Sequence, residues 1–281
     1  MPAPTVTASV SSRLVVITDL DGTLLDQRNY SYEASQPAVD RLLALNIPLI
    51  LCSSKTRAEI RCLWDELGLR DPFIVENGGA LWIPAKYFPV PTGAVGPDGW
   101  TVIELGQEVG TLRQALREAA TGCGARVRSW GDMGLDEIAG LTGLTREQAQ
   151  RATQRLYDEP FVVEEGDVDR LAARLASAGL RVVKGDRFYH VMGKQDKGHA
   201  AKTIVDLYRR TTPALRSIGV GNSANDLPLL ANVDLPLLVR NPDGSWDEEV
   251  SRRLPNILKS TEVGAAGWRE MIERVLADFT G

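Results

Sequence analysis

Two aspartates, two residues apart, follow an apolar run near the start of the chain. The run Leu14-Val15-Val16-Ile17-Thr18 is typical of a buried strand, and it leads directly into Asp19-Leu20-Asp21-Gly22-Thr23. In an open α/β sheet the carboxyl ends of the strands face the ligand crevice. The pattern therefore predicts Asp19 as a nucleophile and Asp21 as its proton-transfer partner, rather than a pair of solvated charges.

This pair of carboxylates suits phosphoryl transfer. Attack of Asp19 on phosphorus would form an acyl phosphate and divide one difficult hydrolysis into two easier steps. Asp21 would protonate the leaving oxygen and later deprotonate water, while the Thr23 hydroxyl and nearby amides could hold phosphate oxygens. An EF-hand calcium loop is the alternative for Asp-x-Asp, but its required glycine and glutamate are replaced by Leu24 and Tyr30.

Two later positions supply other groups that this reaction needs. Ser53 ends a second apolar run, so its hydroxyl and the following amides, beginning with Ser54, could bind phosphate at a helix start. A plain helix cap is the alternative for Ser53. Lys197 could neutralise charge on the transferring phosphoryl group, and an ordinary surface lysine is the alternative there.

The segment Gly221-Asn222-Ser223-Ala224-Asn225-Asp226 follows a predicted strand that ends at Val220. Its oxygen donors suit a hard cation, and Mg²⁺ is expected because it prefers carboxylate and phosphate oxygens. A dinucleotide-binding turn is the rival interpretation, since Gly219-x-Gly221-x-x-Ala224 fits that fingerprint. Pro228 would shorten the following helix and Asp226 would repel a pyrophosphate, so the cation site is favoured.

Composition narrows the class of protein. The 281 residues are 43% hydrophobic, enough for one large core or two smaller ones. The net charge is −5 and no basic stripe is present, which argues against a nucleic-acid partner. The chain has three cysteines, Cys52, Cys62 and Cys123, and their spacing is not that of a metal site. Because an odd number cannot all pair in disulfides, reduced thiols and a cytoplasmic location are expected. No apolar run reaches membrane-spanning length, and Met1–Ser12 lacks the features of a secretory signal and is expected to fray.

Strand and helix signals alternate on both sides of a differently patterned middle segment, which favours a parallel-sheet α/β fold with an inserted unit. Prolines and glycines break the chain from about Ala85, and the alternation resumes after Gly193. The predicted helices are Pro37–Leu45, Lys55–Leu67, Val109–Ala120, Thr145–Leu156, His199–Arg209 and Trp268–Phe279. The predicted strands, after the first, are Ile47–Cys52, Pro72–Val75, Phe161–Glu164, Arg181–Lys184, Arg187–Met192, Arg216–Val220 and Val233–Val239.

Together, Asp19–Thr23, Ser53, Lys197 and Asn225-Asp226 resemble the motifs of the haloacid dehalogenase-like (HAD) phosphatases. Insertion of a second unit after the third strand is similar to the larger cap type of that superfamily. Further segments resemble the mannosyl-3-phosphoglycerate phosphatases. These segments are Ser53-Ser54-Lys55-Thr56-Arg57-Ala58-Glu59, Glu76-Asn77-Gly78-Gly79, Asp158-Glu159-Pro160-Phe161, Arg187-Phe188-Tyr189-His190 and Gly267-Trp268.

The resemblance implies a Rossmann-like HAD core at residues 1–84 and 193–281, with an inserted α/β cap domain at 85–192 that recognises the substrate. It implies a Mg²⁺-dependent phosphatase that converts mannosyl-3-phosphoglycerate to mannosylglycerate, a compatible solute, through an aspartyl phosphate. Glucosyl-3-phosphoglycerate, sucrose phosphate and other sugar phosphates stay open as substrates. A non-catalytic module that binds a phosphorylated ligand is the alternative class, and the oligomeric state is not indicated.

The resemblance also assigns roles to residues. Asp19 becomes the nucleophile, Asp21 the acid and base, and Lys197 the charge-neutralising catalytic residue. The expected metal ligands are Asp19, Asp21 through its backbone carbonyl, Asn222 and Asp226. The expected phosphate- and substrate-binding residues are Thr23, Ser53, Ser54 and Asn225, with Lys184, Arg187 and His190 of the cap as candidates for gripping the glycerate carboxylate or the sugar.

One position departs from the superfamily pattern. Asn222 stands where the family pattern has an aspartate after glycine, so a ligand carboxylate has become an amide. An amide oxygen can still coordinate Mg²⁺, but the site loses one negative charge and should bind the ion more weakly. Asp226 is expected to compensate, directly or through a water.

Overall fold

The computed structural model describes residues 13–89, 92–185 and 187–280, and the predicted fraying of Met1–Ser12 lies outside these ranges. The strands are β1 (Leu14–Thr18), β2 (Leu49–Cys52), β3 (Phe73–Val75), β4 (Ala80–Pro84), β5 (Trp100–Glu104), β6 (Arg126–Ser129), β7 (Asp158–Glu165), β8 (Arg181–Lys184), β9 (Tyr189–Met192), β10 (Arg216–Gly221), β11 (Leu235–Arg240) and β12 (Leu258–Val263). The helices are α1 (Gln36–Ala44), α2 (Arg57–Glu66), α3 (Val109–Cys123), α4 (Leu135–Thr142), α5 (Arg146–Ala152), α6 (Val168–Ser177), α7 (Lys197–Arg209), α8 (Leu227–Leu230), α9 (Glu248–Arg253) and α10 (Gly264–Thr280).

Within those ranges the larger sheet has eight strands, in the order β12-β11-β10-β1-β2-β3-β4-β5. The first six of these pair in parallel, and β4 and β5 add an antiparallel edge. Along β1, Val16 packs into a core with α1 and α10, whereas Val15 and Ile17 pack into a second core with α7. Burial on both faces explains the uninterrupted apolar run, because parallel sheets are covered by helices on each side. The predicted α/β fold is confirmed.

The strand order also explains how the motifs meet. β1 lies between β10 and β2, with Thr18 opposite Val220 on one side and Leu51 on the other. The residues that follow these three strands therefore leave the sheet at the same edge.

A second sheet of four antiparallel strands, in the order β6-β7-β9-β8, forms the inserted unit of the described chain. Helices α3 and α6 cover one face of this sheet, where Leu116 and Leu171 pack against Phe161 and Val191. The separate sheet predicted from the middle of the sequence is present. We call this unit the cap and the part built on the larger sheet the core.

The predicted start of the cap at residue 85 needs correction. β5 pairs with β4 from Ala80 opposite Glu104 to Pro84 opposite Trp100, so it belongs to the larger sheet. The proline- and glycine-rich residues 85–99 connect two core strands, and the insertion does not follow β3 directly. We therefore propose that the cap begins after Glu104 and ends near Met192.

Other differences concern short elements. The helix after Gly221 is α8, which has only four residues, so the long helix of a dinucleotide-binding turn is missing at this place in the described structure. The sequence analysis also missed β4, β5, β6, β12, α4, α6 and α9. No helix among the described residues is long and apolar enough to cross a membrane.

Candidate active site

The predicted catalytic groups meet at the carboxyl edge of the larger sheet. Asp19 follows β1, Ser53 follows β2 and Asn222 follows β10. Lys197 is the first residue of α7 and reaches the same place. The sheet topology thus brings together residues that are far apart in the sequence.

Lys197 connects two carboxylates inside the protein. Its Nζ donates hydrogen bonds of 2.6 Å to Asp19 Oδ1 and 2.6 Å to Asp226 Oδ1, and its side chain is only 2% exposed. Burial alone would lower the pKa of Lys197, but the two carboxylates outweigh it and raise that pKa. Lys197 is therefore a buried cation, which rules out the surface-lysine interpretation.

The Asp19 carboxyl has an unusual acidity. Burial and the neighbouring charge of Asp226 raise its pKa to about 7, although Lys197 opposes this shift. A cation bound at the Asp19 carboxylate, in addition to Lys197, would favour the ionised form of this carboxyl. The ionised form is the one that a nucleophile needs.

Asp226 is fully committed to protein contacts. Its Oδ1 accepts from Lys197, and its Oδ2 accepts from Asn222 N at 3.0 Å, Ser223 N at 3.1 Å and Ser223 Oγ at 3.2 Å. The side chain is completely buried. Since both oxygens already accept hydrogen bonds within the protein, we propose that Asp226 is not a metal ligand in this arrangement. It positions Lys197 and shapes the turn after β10.

Thr23 lies between Asp19 and Asn222. It is fully buried, and its Oγ1 lies 3.2 Å from Asp19 Oδ2 and 3.1 Å from Asn222 Oδ1. It therefore links the loops after β1 and β10, and its contact with phosphate oxygens stays a prediction. Gly22 permits this close packing: its φ is +74°, and a Cβ there would lie 2.8 Å from Asn222 Nδ2.

Asp19 Oδ2 and Asn222 Oδ1 form an oxygen-lined position that suits a hard cation. The Thr23 hydroxyl has one proton and can donate to only one of the two oxygens at a time. Asn222 Nδ2 donates 2.8 Å to Asn241 Oδ1, and Asn241 Nδ2 donates 3.2 Å to Asn222 O. This exchange fixes the amide so that its oxygen faces Thr23 Oγ1, which also contacts Asp19 Oδ2. The donors fit Mg²⁺, although no group of three or more His, Cys, Asp or Glu side chains with metal-site geometry occurs in the described ranges.

Asp21 has a cationic neighbour that the sequence analysis missed. Lys55 Nζ lies 2.8 Å from Asp21 Oδ2, and the two side chains are 21% and 36% exposed respectively. The other oxygen, Asp21 Oδ1, is buried without a hydrogen-bond partner. Burial lowers the pKa of Lys55, but Asp21 and Glu59 outweigh it and raise that pKa. The only sequence signal for Lys55 was its place in the segment after Ser53-Ser54.

Ser53 lies buried directly after β2. It is 1% exposed, and its Oγ accepts a 3.3 Å hydrogen bond from Lys55 N. The cap of helix α2 is Thr56, which accepts from Glu59 N while Glu59 accepts from Thr56 N in return. The helix-cap interpretation of Ser53 is therefore wrong. Ser54 contributes its carbonyl, which accepts 2.8 Å from Arg155 Nη2.

A chain of polar side chains crosses from the core to the cap. Asn225 Nδ2 donates 3.0 Å to Asn77 Oδ1, and Asn77 Nδ2 donates 3.2 Å to Asp158 Oδ2. His190 Nδ1 lies 2.9 Å from Asp158 Oδ1, and Arg155 Nη2 lies 3.0 Å from Asp158 Oδ2. We call these five residues the core–cap network. Asn225, predicted to bind phosphate, thus serves the interface between the units.

Charge holds this network together. Asp158 is completely buried, which would raise its pKa, but Arg155 and His190 outweigh burial and lower the pKa to about 2. Glu76 lies beside the network and accepts from Leu156 N at 3.0 Å and Tyr157 N at 2.7 Å. Burial raises the Glu76 pKa to about 7, with Arg155 opposing the shift.

The core and cap together line a cavity of about 220 Å³. Arg187 and His190, both predicted to grip the substrate, line it, and Arg187 Nη1 donates 2.9 Å to the Leu141 carbonyl. Lys184 is exposed at the end of β8 and does not line this cavity. The lining also includes Tyr30, Ser54, Lys55, Glu59, Trp130 and Arg155.

Comparison with known proteins identifies the family. The glucosyl-3-phosphoglycerate/mannosyl-3-phosphoglycerate phosphatase of Methanococcoides burtonii is 39% identical over 92% of this chain and 95% of that protein. The mannosyl-3-phosphoglycerate phosphatase of Pyrococcus furiosus is 37% identical over 80% of this chain and 90% of that protein. The chain belongs to the mannosyl-3-phosphoglycerate phosphatase family.

Wider comparisons agree with the fold of this family. Residues 16–87 match the haloacid dehalogenase-like hydrolases, and this stretch contains Asp19, Asp21, Thr23 and Ser53. A haloacid dehalogenase-like hydrolase from Bacteroides thetaiotaomicron superposes with a TM-score of 0.63, covering 93% of this chain and 98% of that one at 17% identity. Similarity at this level of identity shows the fold alone. The HAD-like core and the phosphatase class predicted from the sequence are confirmed.

Proposed function

We propose that this family member hydrolyses the phosphate ester of a glycosyl-3-phosphoglycerate, with the mannosyl compound as the first candidate, through an aspartyl phosphate. The observation that carries the proposal is the buried contact of Lys197 with Asp19 at the carboxyl edge of the sheet. This contact places the positive charge of Lys197 beside the buried Asp19 carboxylate, and Asp19 occupies the position of the nucleophile in the family motif.

The residues act in a defined order. Asp19 attacks phosphorus, the bond from phosphorus to the ester oxygen breaks, and Asp21 gives its proton to that oxygen. In the second step Asp21 takes a proton from water, the water oxygen attacks the phosphorus of the aspartyl phosphate, and Asp19 is released. Lys197 remains protonated and stabilises the negative charge beside Asp19 in both steps.

Mg²⁺ is the proposed cofactor. Asp19, the amide oxygen of Asn222 and the backbone carbonyl of Asp21 would hold the ion, and when bound it supplies positive charge to the phosphoryl oxygens. Asp226 is left out of this ligand set because Lys197 and the turn after β10 use both of its oxygens.

Two features support a phosphorylated sugar acid as the substrate. The cavity between core and cap is lined by Lys55, Arg187 and His190, which suit an anion and the hydroxyl groups of a sugar. The relative from Methanococcoides burtonii is named for glucosyl- and mannosyl-3-phosphoglycerate, and the relative from Pyrococcus furiosus for mannosyl-3-phosphoglycerate. We also propose a cytoplasmic location, because the three cysteines of the sequence are expected to be reduced thiols.

The test is phosphate release from mannosyl-3-phosphoglycerate, glucosyl-3-phosphoglycerate, sucrose phosphate and simple hexose phosphates, with Mg²⁺ and with a chelator. We expect metal-dependent turnover with a preference for a glycosyl-3-phosphoglycerate, and complete loss of turnover in Asp19→Asn. Preference for another sugar phosphate would refute the substrate and keep the chemistry. Ligand binding without turnover of any ester would favour a binding module, with Asn222 as its cause.

A further inference from the structure

We propose that Lys55 is the specificity-determining residue for the carboxylate of the substrate's leaving group, and that this carboxylate replaces Asp21 as the ion-pair partner of Lys55 when substrate binds. The inference deepens the proposed function and rests on it. Lys55 is not one of the residues to which the sequence analysis gave a role.

The position of Lys55 is the first argument. Its Nζ lies 2.8 Å from Asp21 Oδ2, on the side chain that must reach the ester oxygen. Lys55 lines the cavity between core and cap, and it also lines the adjoining cavity of about 190 Å³. Both cavities also include Tyr30, whose ring centroid is 4.9 Å from the ammonium. Lys55 therefore stands where the leaving group has to lie.

The chemistry of a 3-phosphoglycerate ester is the second argument. Asp21 must come within about 3 Å of the ester oxygen to transfer a proton, so the Lys55 ammonium is close to that oxygen as well. Two carbons separate the ester oxygen from the carboxylate carbon, and bonds of about 1.5 Å put the carboxylate oxygens about 3 to 5 Å from the ester oxygen. An ammonium beside Asp21 thus lies within reach of this carboxylate. A hexose phosphate offers only hydroxyl groups there.

The state of the neighbouring charges is the third argument. The Lys55–Asp21 pair is partly exposed, and such pairs are weak, so exchange of one carboxylate for another costs little. Arg155 is already committed, since its side chain is 5% exposed and contacts Asp158 and the Ser54 carbonyl. Glu59, the acidic residue in the lining of the cavity between core and cap, caps helix α2 through Thr56. Lys55 is therefore the core cation best placed to change partner.

The experiment compares two esters that differ only in the carboxylate. Mannosyl-3-phosphoglycerate and its carboxamide analogue are assayed with wild type, Lys55→Gln and Lys55→Arg, with Mg²⁺ present. The matched control is Lys202→Gln, which removes an exposed lysine that pairs with Asp206 at 2.7 Å on α7. The measured quantity is the ratio of kcat/KM for the two esters.

We expect wild type and Lys202→Gln to prefer the carboxylate by about 20-fold or more, because a site that pairs a charged group rejects the analogue that lacks it. Lys55→Gln should reduce this ratio to about threefold or less, and Lys55→Arg should keep most of it, since arginine retains the charge. In addition, free glycerate should inhibit hydrolysis of the carboxamide ester by wild type, and by Lys55→Gln much less.

Two results would overturn the inference, and they are distinguishable. If Lys55→Gln lowers kcat/KM equally for both esters, Lys55 acts only through Asp21 and does not recognise the carboxylate. If wild type hydrolyses hexose phosphates but no glycosyl-3-phosphoglycerate, the proposed function fails and the inference fails with it. Circular dichroism of Lys55→Gln, with Lys55→Arg as the second variant, separates a folding defect from a change in specificity.

Discussion

Replacement of Asp158 by asparagine should destabilise the protein strongly, because it removes the negative charge at the centre of the core–cap network. Asp158 is completely buried and contacts Arg155 at 3.0 Å and His190 at 2.9 Å. Asparagine keeps the shape of the side chain but leaves the buried Arg155 with Glu76 and Glu59 as its remaining acidic neighbours. Asp158→Asn therefore tests what the charge contributes, separately from packing.

The magnitude follows from the acidity. The pKa of Asp158 is about 2, against an ordinary value of 3.8. A difference of this size corresponds to about 2 kcal/mol of folding free energy at neutral pH. Breaking a buried ion pair by removing one partner costs about 3–5 kcal/mol. We therefore expect Asp158→Asn to lower the free energy of unfolding by about 2–4 kcal/mol at pH 7.

The effect should depend on pH in one direction. Because the pKa is lower in the folded than in the unfolded chain, the carboxylate stabilises the folded state fully above about pH 4. This stabilisation is lost as the pH falls from about 4 towards about 2. The difference between wild type and Asp158→Asn should thus be the same at pH 7 and pH 5 and smaller at pH 3.

Urea unfolding followed by circular dichroism at these three pH values is the assay. The control is Asp206→Asn, which breaks the exposed pair with Lys202 and should change the free energy of unfolding by at most about 1 kcal/mol. A loss below about 1 kcal/mol for Asp158→Asn, or a loss that stays constant down to pH 3, would refute the reasoning, since buried pairs can be offset by the cost of their desolvation.

Three further predictions concern the site and its support. Lys197→Met should abolish phosphate release and lower the free energy of unfolding by about 3–5 kcal/mol, because two buried carboxylates lose their shared cation. Phosphate assays measure the first effect and urea titrations the second. Asn222→Asp should lower the Mg²⁺ concentration for half-maximal activity by about fivefold or more, since added ligand charge tightens such sites, and a Mg²⁺ titration of activity would show this. Burial raises the pKa of Glu76 from 4.5 to about 7 in the folded protein. The free energy of unfolding of wild type should therefore fall, relative to that of Glu76→Gln, as the pH rises from about 4.5 to about 7. Urea unfolding across this pH range measures the difference.

The sequence predicted the architecture where the physical signal is local. The apolar run of β1 and the following Asp19 and Asp21 predicted a buried strand with a site at its end, and both the strand and the meeting of the motifs are present. The residues of β5 were placed in the cap, without a predicted strand, because residues 85–99 contain the prolines and glycines expected at a domain boundary. Only the pairing of β5 with β4, a contact between distant residues, shows that the chain returns to the core sheet.

The hydrogen-bond partners within the site could not be predicted either, because they also depend on contacts between residues that are distant in the sequence. The spacing of motifs placed Asp226 near the other carboxylates, but not the fact that Lys197 and three donors after β10 would occupy both oxygens. Likewise, the sequence placed Thr23 near Asp19, but it did not show that the Thr23 hydroxyl lies between Asp19 Oδ2 and Asn222 Oδ1. Residue type and position along the chain predict which groups meet, whereas partner and exposure depend on packing between elements.

The turn Glu76-Asn77-Gly78 explains how cap and core act together. Glu76 and Asn77 have φ values of 48° and 56°, and such conformations in residues other than glycine cost on the order of 1–3 kcal/mol each. Contacts from both units hold the turn: cap amides donate to Glu76, Asp158 of the cap and Asn225 of the core bond Asn77, and Gly78 packs against the Asp196 carbonyl beside Lys197. A cap that moved relative to the core would break the contacts that maintain this strained turn. Contacts with these three residues therefore connect the position of the cap to the position of Lys197 beside Asp19. We expect Asp158→Asn to lower phosphate release from the proposed substrate as well as stability, which phosphate assays on the variant would show.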